Sequence, residues 1–182
     1  MIDITRGVMT AKRYPGDPAP ELRSEWVEDY LVSTLSFCVH TGTHVDAPLH
    51  YLLDGQSADQ LNVESLSGRC LLVEKEPNDS ELTLMKRRKI EILLLKSGSV
   101  TLELLSRLQK LGLKVVGNDL LSIAPPEEER EIHEALFRRG ILPLECLNLD
   151  RVSPGLYNLL AFPMLIEGAE AAPVRAFLSE VK

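Results

Sequence analysis

From residue 90 to residue 144 the chain repeats one pattern, a short apolar run followed by an amphipathic stretch and then another apolar run. The runs at 90–95, 114–116 and 141–144 have strand length and are rich in Ile, Leu and Val. Between the first two, residues 101–111 set Leu102, Leu105 and Leu108 on one helical face and stop at Gly112. Between the second and third, a helix over 126–139 starts beside Pro125 and Pro126. It carries Glu127, Glu128 and Glu129 first, Arg138 and Arg139 last and Gly140 just beyond, the order a helix dipole favours. Strand, helix, strand in succession predicts parallel βαβ connections. Further strands are expected at 31–39, 70–73, 158–165 and 174–178, so the outer thirds read as antiparallel hairpins. The proline-rich stretch 13–20 must be irregular, and the basic run Lys86 to Lys89 reads as a solvated turn. The expected fold class is α/β, with a mixed sheet of parallel and antiparallel strands. At 182 residues and 45% apolar composition, one domain spanning 1–182 is expected.

Composition excludes some functions. A net charge of -7 with 5% aromatic residues offers no basic patch for nucleic acid, so no nucleic-acid partner is expected. No apolar run is long enough to span a bilayer and the N-terminus lacks the pattern of a secretory signal, which predicts a soluble, cytoplasmic protein without a membrane partner. Cys38, Cys70 and Cys146 are odd in number, far apart and set in apolar surroundings, as buried reduced thiols would be.

Chemistry concentrates in HTGTHVDAPLH, residues 40–50, which holds three of the four histidines. On a strand His40, Gly42, His44 and Asp46 would share a face, because side chains alternate. A straight strand would still separate the α-carbons of His40 and His44 by roughly 13 Å, too far to hold one ion. The chain should therefore bend at Gly42, where a residue without a side chain tolerates a sharp turn. Pro48 then redirects the chain and can swing His50 toward the pocket without bringing it among the ligands. Imidazoles and a carboxylate suit a divalent metal such as zinc or manganese, and the absence of a thiolate cluster points to an open, catalytic site. Two histidines and one aspartate are only three ligands. His133 is the remaining histidine, and Glu145 lies at the end of the strand that follows its helix. Each has a structural alternative: His133 as a hydrogen-bonded core residue, Glu145 as an ion-pair partner of Arg139 or Arg151. Asp119 and Ser122 are candidates to hydrogen-bond the ligands from outside.

The cluster resembles the H-x-G-T-H-x-D-x-P-x-H signature of the cyclase superfamily of metal hydrolases, which includes bacterial kynurenine formamidases and isatin hydrolases. YPGDP at 14–18, GNDLLSI at 117–123, His133 followed by GILPLECLNL, and FPMLIEGAEAAPVRAF near the end are similar to further elements of that family, in its order. The resemblance implies a swivelling β/β/α domain. It implies His40, His44 and Asp46 on a first metal, His133 on a second, and Asp46 and Glu145 able to bridge, so one or two ions. It also implies His50 as proton donor and acceptor, Tyr14 in the substrate pocket, a small-molecule amide, formamide or lactam as substrate, and a homodimer or larger assembly. The chain departs from the family in a very short segment between Ser97 and Thr101, in Ala124, and in Tyr14, which stands where kynurenine formamidases commonly have tryptophan. Two other functions would use the same residues: a metal-dependent lyase or cyclase, and a metal-binding relative without catalysis.

Overall fold

The computed structural model describes residues 1–181. Its centre is an eight-stranded mixed sheet built from β1 (Ile2–Asp3), β4 (His44–Asp46), β5 (Ser67–Glu74), β6 (Ile92–Lys96), β7 (Val115–Asn118), β8 (Leu142–Glu145), β9 (Gly155–Pro163) and β10 (Ala171–Glu180). The order is β1-β10-β4-β8-β7-β6-β5-β9, and β9 also pairs with β10, so the sheet closes on itself. Strands β5, β6, β7 and β8 run parallel. The crossovers between them carry α1 (Asp79–Arg88), α2 (Leu102–Leu108) and α3 (Glu129–Phe137).

The parallel strands are buried on both faces, which accounts for their unbroken apolar runs. Cys70, Leu72, Ile92, Leu94 and Val115 point into the closed sheet, where they meet Val45, Leu144, Leu159, Ala172 and Val174. Their neighbours Leu71, Val73, Leu93, Leu95 and Val116 face outward and are covered by Met85 of α1, Leu104, Leu105 and Leu108 of α2, and Ile132 and Leu136 of α3. Cys70 and Cys146 are buried and Cys38 half-buried, and all three are free thiols. Among the described residues no helix is long and apolar enough to cross a membrane.

Three features differ from the sequence reading. The basic run 86–89 is not a turn but the end of α1, with Lys89 in the left-handed conformation as its cap. The start of α1 is fixed by Asn78, which accepts from the Glu81 amide at 3.0 Å, while Glu81 accepts from the Asn78 amide at 2.8 Å. The helix expected over 126–139 is tighter, because Glu128 still belongs to a turn closed on the Pro125 carbonyl. Finally, β2 (Glu21–Val27) and β3 (Tyr30–Ser36) form a hairpin that, among the described residues, pairs only with itself, and every residue of both strands is exposed.

Candidate metal centre

Strand β4 lies between β10 and β8, in the middle of the sheet, and its antiparallel register sets His44 directly opposite Glu145. The residues before it cannot continue the strand. Gly42 has φ +77°, and a β-carbon there would sit 2.7 Å from the Arg6 carbonyl, so the bend requires glycine. Thr43 locks the bend: its hydroxyl accepts from the Arg6 amide at 2.8 Å and donates to the Cys146 carbonyl at 2.7 Å. His40 is thereby folded back over β4. Helix α3 supplies His133 on its buried face, and the chain then returns through Gly140 into β8 and Glu145.

Five side chains converge. Asp46 Oδ1 lies 3.0 Å from His40 Nδ1 and 3.3 Å from His44 Nε2, while its Oδ2 lies 3.3 Å from His133 Nε2. Glu145 spans the same gap, with Oε2 3.5 Å from His44 and Oε1 3.3 Å from His133. His44, Asp46, His133 and Glu145 are all buried. Candidate ligand atoms of His40, His44 and Asp46, and likewise those of Asp46, His133 and Glu145, lie within 4.8 Å of one another.

These residues fit a cation better than they fit one another. Among the described residues, His40 Nε2, His44 Nε2 and Asp46 Oδ1 are buried without a hydrogen-bond partner, a costly arrangement unless something else satisfies them. The outer nitrogens are satisfied: His44 Nδ1 is 2.9 Å from the Gly42 carbonyl and His133 Nδ1 is 2.7 Å from the Glu129 carbonyl. Donation to those carbonyls leaves each Nε2 lone pair directed at the cluster, the tautomer ligation requires. Without an ion the cluster must hold protons instead. Burial opposes charge on His133, but hydrogen bonds to Asp46 and Glu145 outweigh it and push the imidazole up to about 10. His44 is raised well above its ordinary value against the same penalty, chiefly by Asp46. Asp46 is held well below the carboxylate range, because contacts with His133, His40 and His44 overcome its burial. Glu145 is lowered too, against burial and the repulsion of Asp46.

His50 ends a single 3-10 turn, Pro48–His50, and belongs to neither candidate ligand group. Its ring lies 4.4 Å from that of His40 and 6.0 Å from that of His133. Burial pushes its pKa down. It faces a cavity of about 160 Å³ whose walls also include Tyr14, Asp17, Tyr51, Leu121 and Glu129. Tyr51, not singled out in the sequence, stacks on His133 at 4.8 Å; its position directly after His50 was the available signal. The Tyr14 hydroxyl donates to Glu129 Oε2 at 2.8 Å, which raises the phenol's pKa.

Among the described residues, neither Asp119 nor Ser122 hydrogen-bonds any of the five side chains. Asp119 accepts from the Ser97 amide at 2.7 Å and lines a separate, larger cavity of about 440 Å³ that contains none of the ligands. The Ser122 carbonyl accepts from Asn118 and its hydroxyl lies 3.4 Å from the Ala124 amide. Glu145 is fixed by the backbone group that follows Ser122, the Ile123 amide, at 2.7 Å from Oε1. A main-chain donor does this work, and main-chain donors leave no mark on the residue types.

Comparison with known proteins agrees with this geometry. A family model described as "Putative cyclase" matches residues 2–125. A kynurenine formamidase from Salinibacter ruber is 32% identical over 206 aligned positions, covering 99% of this chain and 97% of the relative. One from Bacillus cereus is 30% identical, covering 92% and 91%. The first alignment is longer than this chain of 182 residues, so the relative carries segments absent here. A solved structure described as a predicted metal-dependent hydrolase, from Bacillus stearothermophilus, is 26% identical with a TM-score of 0.74, covering 97% and 96%. Isatin hydrolase A from Labrenzia aggregata shares the fold, with a TM-score of 0.78 at 17% identity over 96% and 91%.

Proposed function

Because the chain belongs to the cyclase family, we propose that it is a metal-dependent hydrolase that cleaves a small amide, formamide or lactam. N-formylkynurenine is one molecule such a site would take, given that two relatives are kynurenine formamidases. The observation that carries the proposal is the convergence of three imidazoles and two carboxylates, with unsatisfied buried ligand atoms, beneath a cavity lined by a fourth imidazole.

A divalent ion such as zinc or manganese supplies a Lewis acid that makes water nucleophilic near neutral pH and polarises a carbonyl. His40, His44 and Asp46 would form one half of its cage, His133 and Glu145 the other. The two oxygens of Asp46 face different histidines, so the set suits one ion or a bridged pair. His50 remains neutral at pH 7 because burial lowers its pKa. It accepts the proton released as water attacks and returns it to the departing nitrogen as the tetrahedral intermediate collapses. Tyr14 and Tyr51 wall the pocket where the leaving group sits. The test is hydrolysis of an aryl formamide and of isatin by zinc- or manganese-loaded protein in oxygen-18 water. Label in the carboxylic acid product supports hydrolysis; unlabelled product would mean a lyase, and no turnover with either metal would mean a binding protein.

We also propose that the protein works as a homodimer joined through the β2–β3 hairpin. One face of this ribbon carries Leu22 opposite Leu35, Ser24 opposite Ser33, and Trp26 opposite Leu31. An isolated two-stranded ribbon is marginal in water, and this one leaves its only tryptophan 71% exposed. The apolar, serine, apolar sequence is nearly palindromic along the ribbon. A second copy stacked antiparallel would place each leucine pair on a Trp26–Leu31 pair and serine on serine, the self-complementarity of a twofold interface.

A further inference from the structure

Three imidazoles face the cluster, and their outer nitrogens are held unequally. Those of His44 and His133 are Nδ1 atoms, 2.9 and 2.7 Å from the carbonyls of Gly42 and Glu129. His40 is turned the other way: its Nδ1 faces Asp46 Oδ1 at 3.0 Å, so Nε2 is the outer nitrogen. That Nε2 is buried with no hydrogen-bond partner among the described residues. The acceptor within reach is a carboxylate, Glu170, whose Oε1 lies 3.5 Å away.

The backbone fixes Glu170 at this place. It directly precedes Ala171, which pairs with Asp46 across the β10–β4 ladder. The Ala47 amide donates to the Glu170 carbonyl at 2.9 Å, the Ala58 amide to the Ala169 carbonyl at 2.8 Å, and the Gly168 amide to Asp59 Oδ1 at 3.0 Å. The turn that carries Glu170 is thus stapled to the chain on either side of His50. The Glu170 carboxylate belongs to neither candidate ligand group, and His40 is its only ion-pair partner among the described residues. A small side-chain rotation shortens 3.5 Å to hydrogen-bond length.

We propose that Glu170 is a positioning residue of the metal centre: its carboxylate accepts the Nε2–H of His40, so that His40 presents Nδ1 to the ion while His44 and His133 present Nε2. This rests on the reading of the cluster as the ion site of a hydrolase, and it divides the cage. A proton held on Nε2 leaves the Nδ1 lone pair of His40 directed toward Asp46, and a carboxylate partner makes the ring a more basic donor than a carbonyl does. His133 and Glu145 do not depend on the contact, because the Glu129 carbonyl and the Ile123 amide hold them. Loss of such an outer partner costs about 10–100-fold in metal affinity.

Two readouts test it, and neither needs turnover. Long-range proton–nitrogen correlation spectra of zinc-loaded protein with nitrogen-labelled histidine show which ring nitrogen of each histidine is bound and which is protonated. One ring bound through Nδ1 and two through Nε2 are expected; three rings bound through Nε2 would overturn the proposal. Calorimetric zinc titration gives the second readout. Glu170→Ala should weaken binding about 10–100-fold, and Glu170→Gln, whose amide oxygen still accepts from Nε2–H, should recover most of the loss. If Glu170 serves only the fold, Glu170→Ala lowers the urea midpoint of the metal-free protein and leaves zinc affinity unchanged, which would overturn the proposal. A wild type that binds no zinc would overturn it together with the metal centre. Zinc bound as expected without hydrolysis of any amide would defeat the hydrolase reading alone.

Discussion

Adding zinc to the metal-free protein at pH 7 should drive protons into solution, and their number follows from the cluster. His133 is pushed up to about 10 and His44 is raised well above its ordinary value, so both imidazoles are protonated without metal at pH 7. Their Nδ1 atoms lie at backbone carbonyls, so only the Nε2 proton can be surrendered to free a lone pair. Two protons should therefore leave as the cage fills. Removing the one on His133 at pH 7 costs on the order of 4 kcal/mol, which makes apparent affinity steeply dependent on pH. With two protons displaced, affinity should rise about a hundredfold for each pH unit around neutrality. Isothermal titration in buffers of different ionisation enthalpy counts the protons directly. Two ordinary histidines would release about 0.5 of a proton at pH 7. Release of one proton or fewer, with a shallow pH dependence, would show that His44 and His133 are not both protonated without metal, even after allowing for ionisation of bound solvent.

Other expectations follow from single residues. His50→Ala should keep its full metal content by elemental analysis while kcat for a good substrate falls at least about a hundredfold; unchanged turnover would remove His50 from the chemistry. Because burial sets His50 below its ordinary value of 6.5, a reaction needing the neutral ring should lose rate as pH falls, with the acid limb of kcat/KM centred below 6.5 rather than above it. Gly42→Ala adds a β-carbon 2.7 Å from the Arg6 carbonyl at φ +77°, which should destabilise the fold by about 1–3 kcal/mol or more in urea denaturation. A loss within experimental error would show that the bend is not constrained. Trp26→Glu should convert a dimer into a folded monomer in sedimentation velocity, and an unchanged mass would place any interface elsewhere.

The alternation of apolar runs and helices was legible from 90 to 144 because those strands are buried on both faces and their crossovers carry amphipathic stripes. Helix α1 escaped because only Leu82 and Met85 pack inward and its basic end imitates a turn; the Asn78–Glu81 capping pattern was the better guide. The front cluster stood out in the sequence because three histidines and an aspartate are compressed into one bend around Gly42. His133 and Glu145 were harder to see, since helix α3 and the strand register bring them to His44 across about a hundred residues. Asp119 and Ser122 were misread because the Ile123 amide holds Glu145. The alternation at 31–39 suggested a strand, and one runs over Tyr30–Ser36, yet both faces of its hairpin are open because nothing among the described residues covers them.

The most direct measurement is an anomalous-difference map from crystals grown with zinc or manganese and collected across the metal's absorption edge. Density should appear enclosed by His40, His44, Asp46, His133 and Glu145, at about 2.0–2.3 Å from the coordinating atoms, with His50 outside the cage. Strong density at another place, or none in fully loaded crystals, would contradict it.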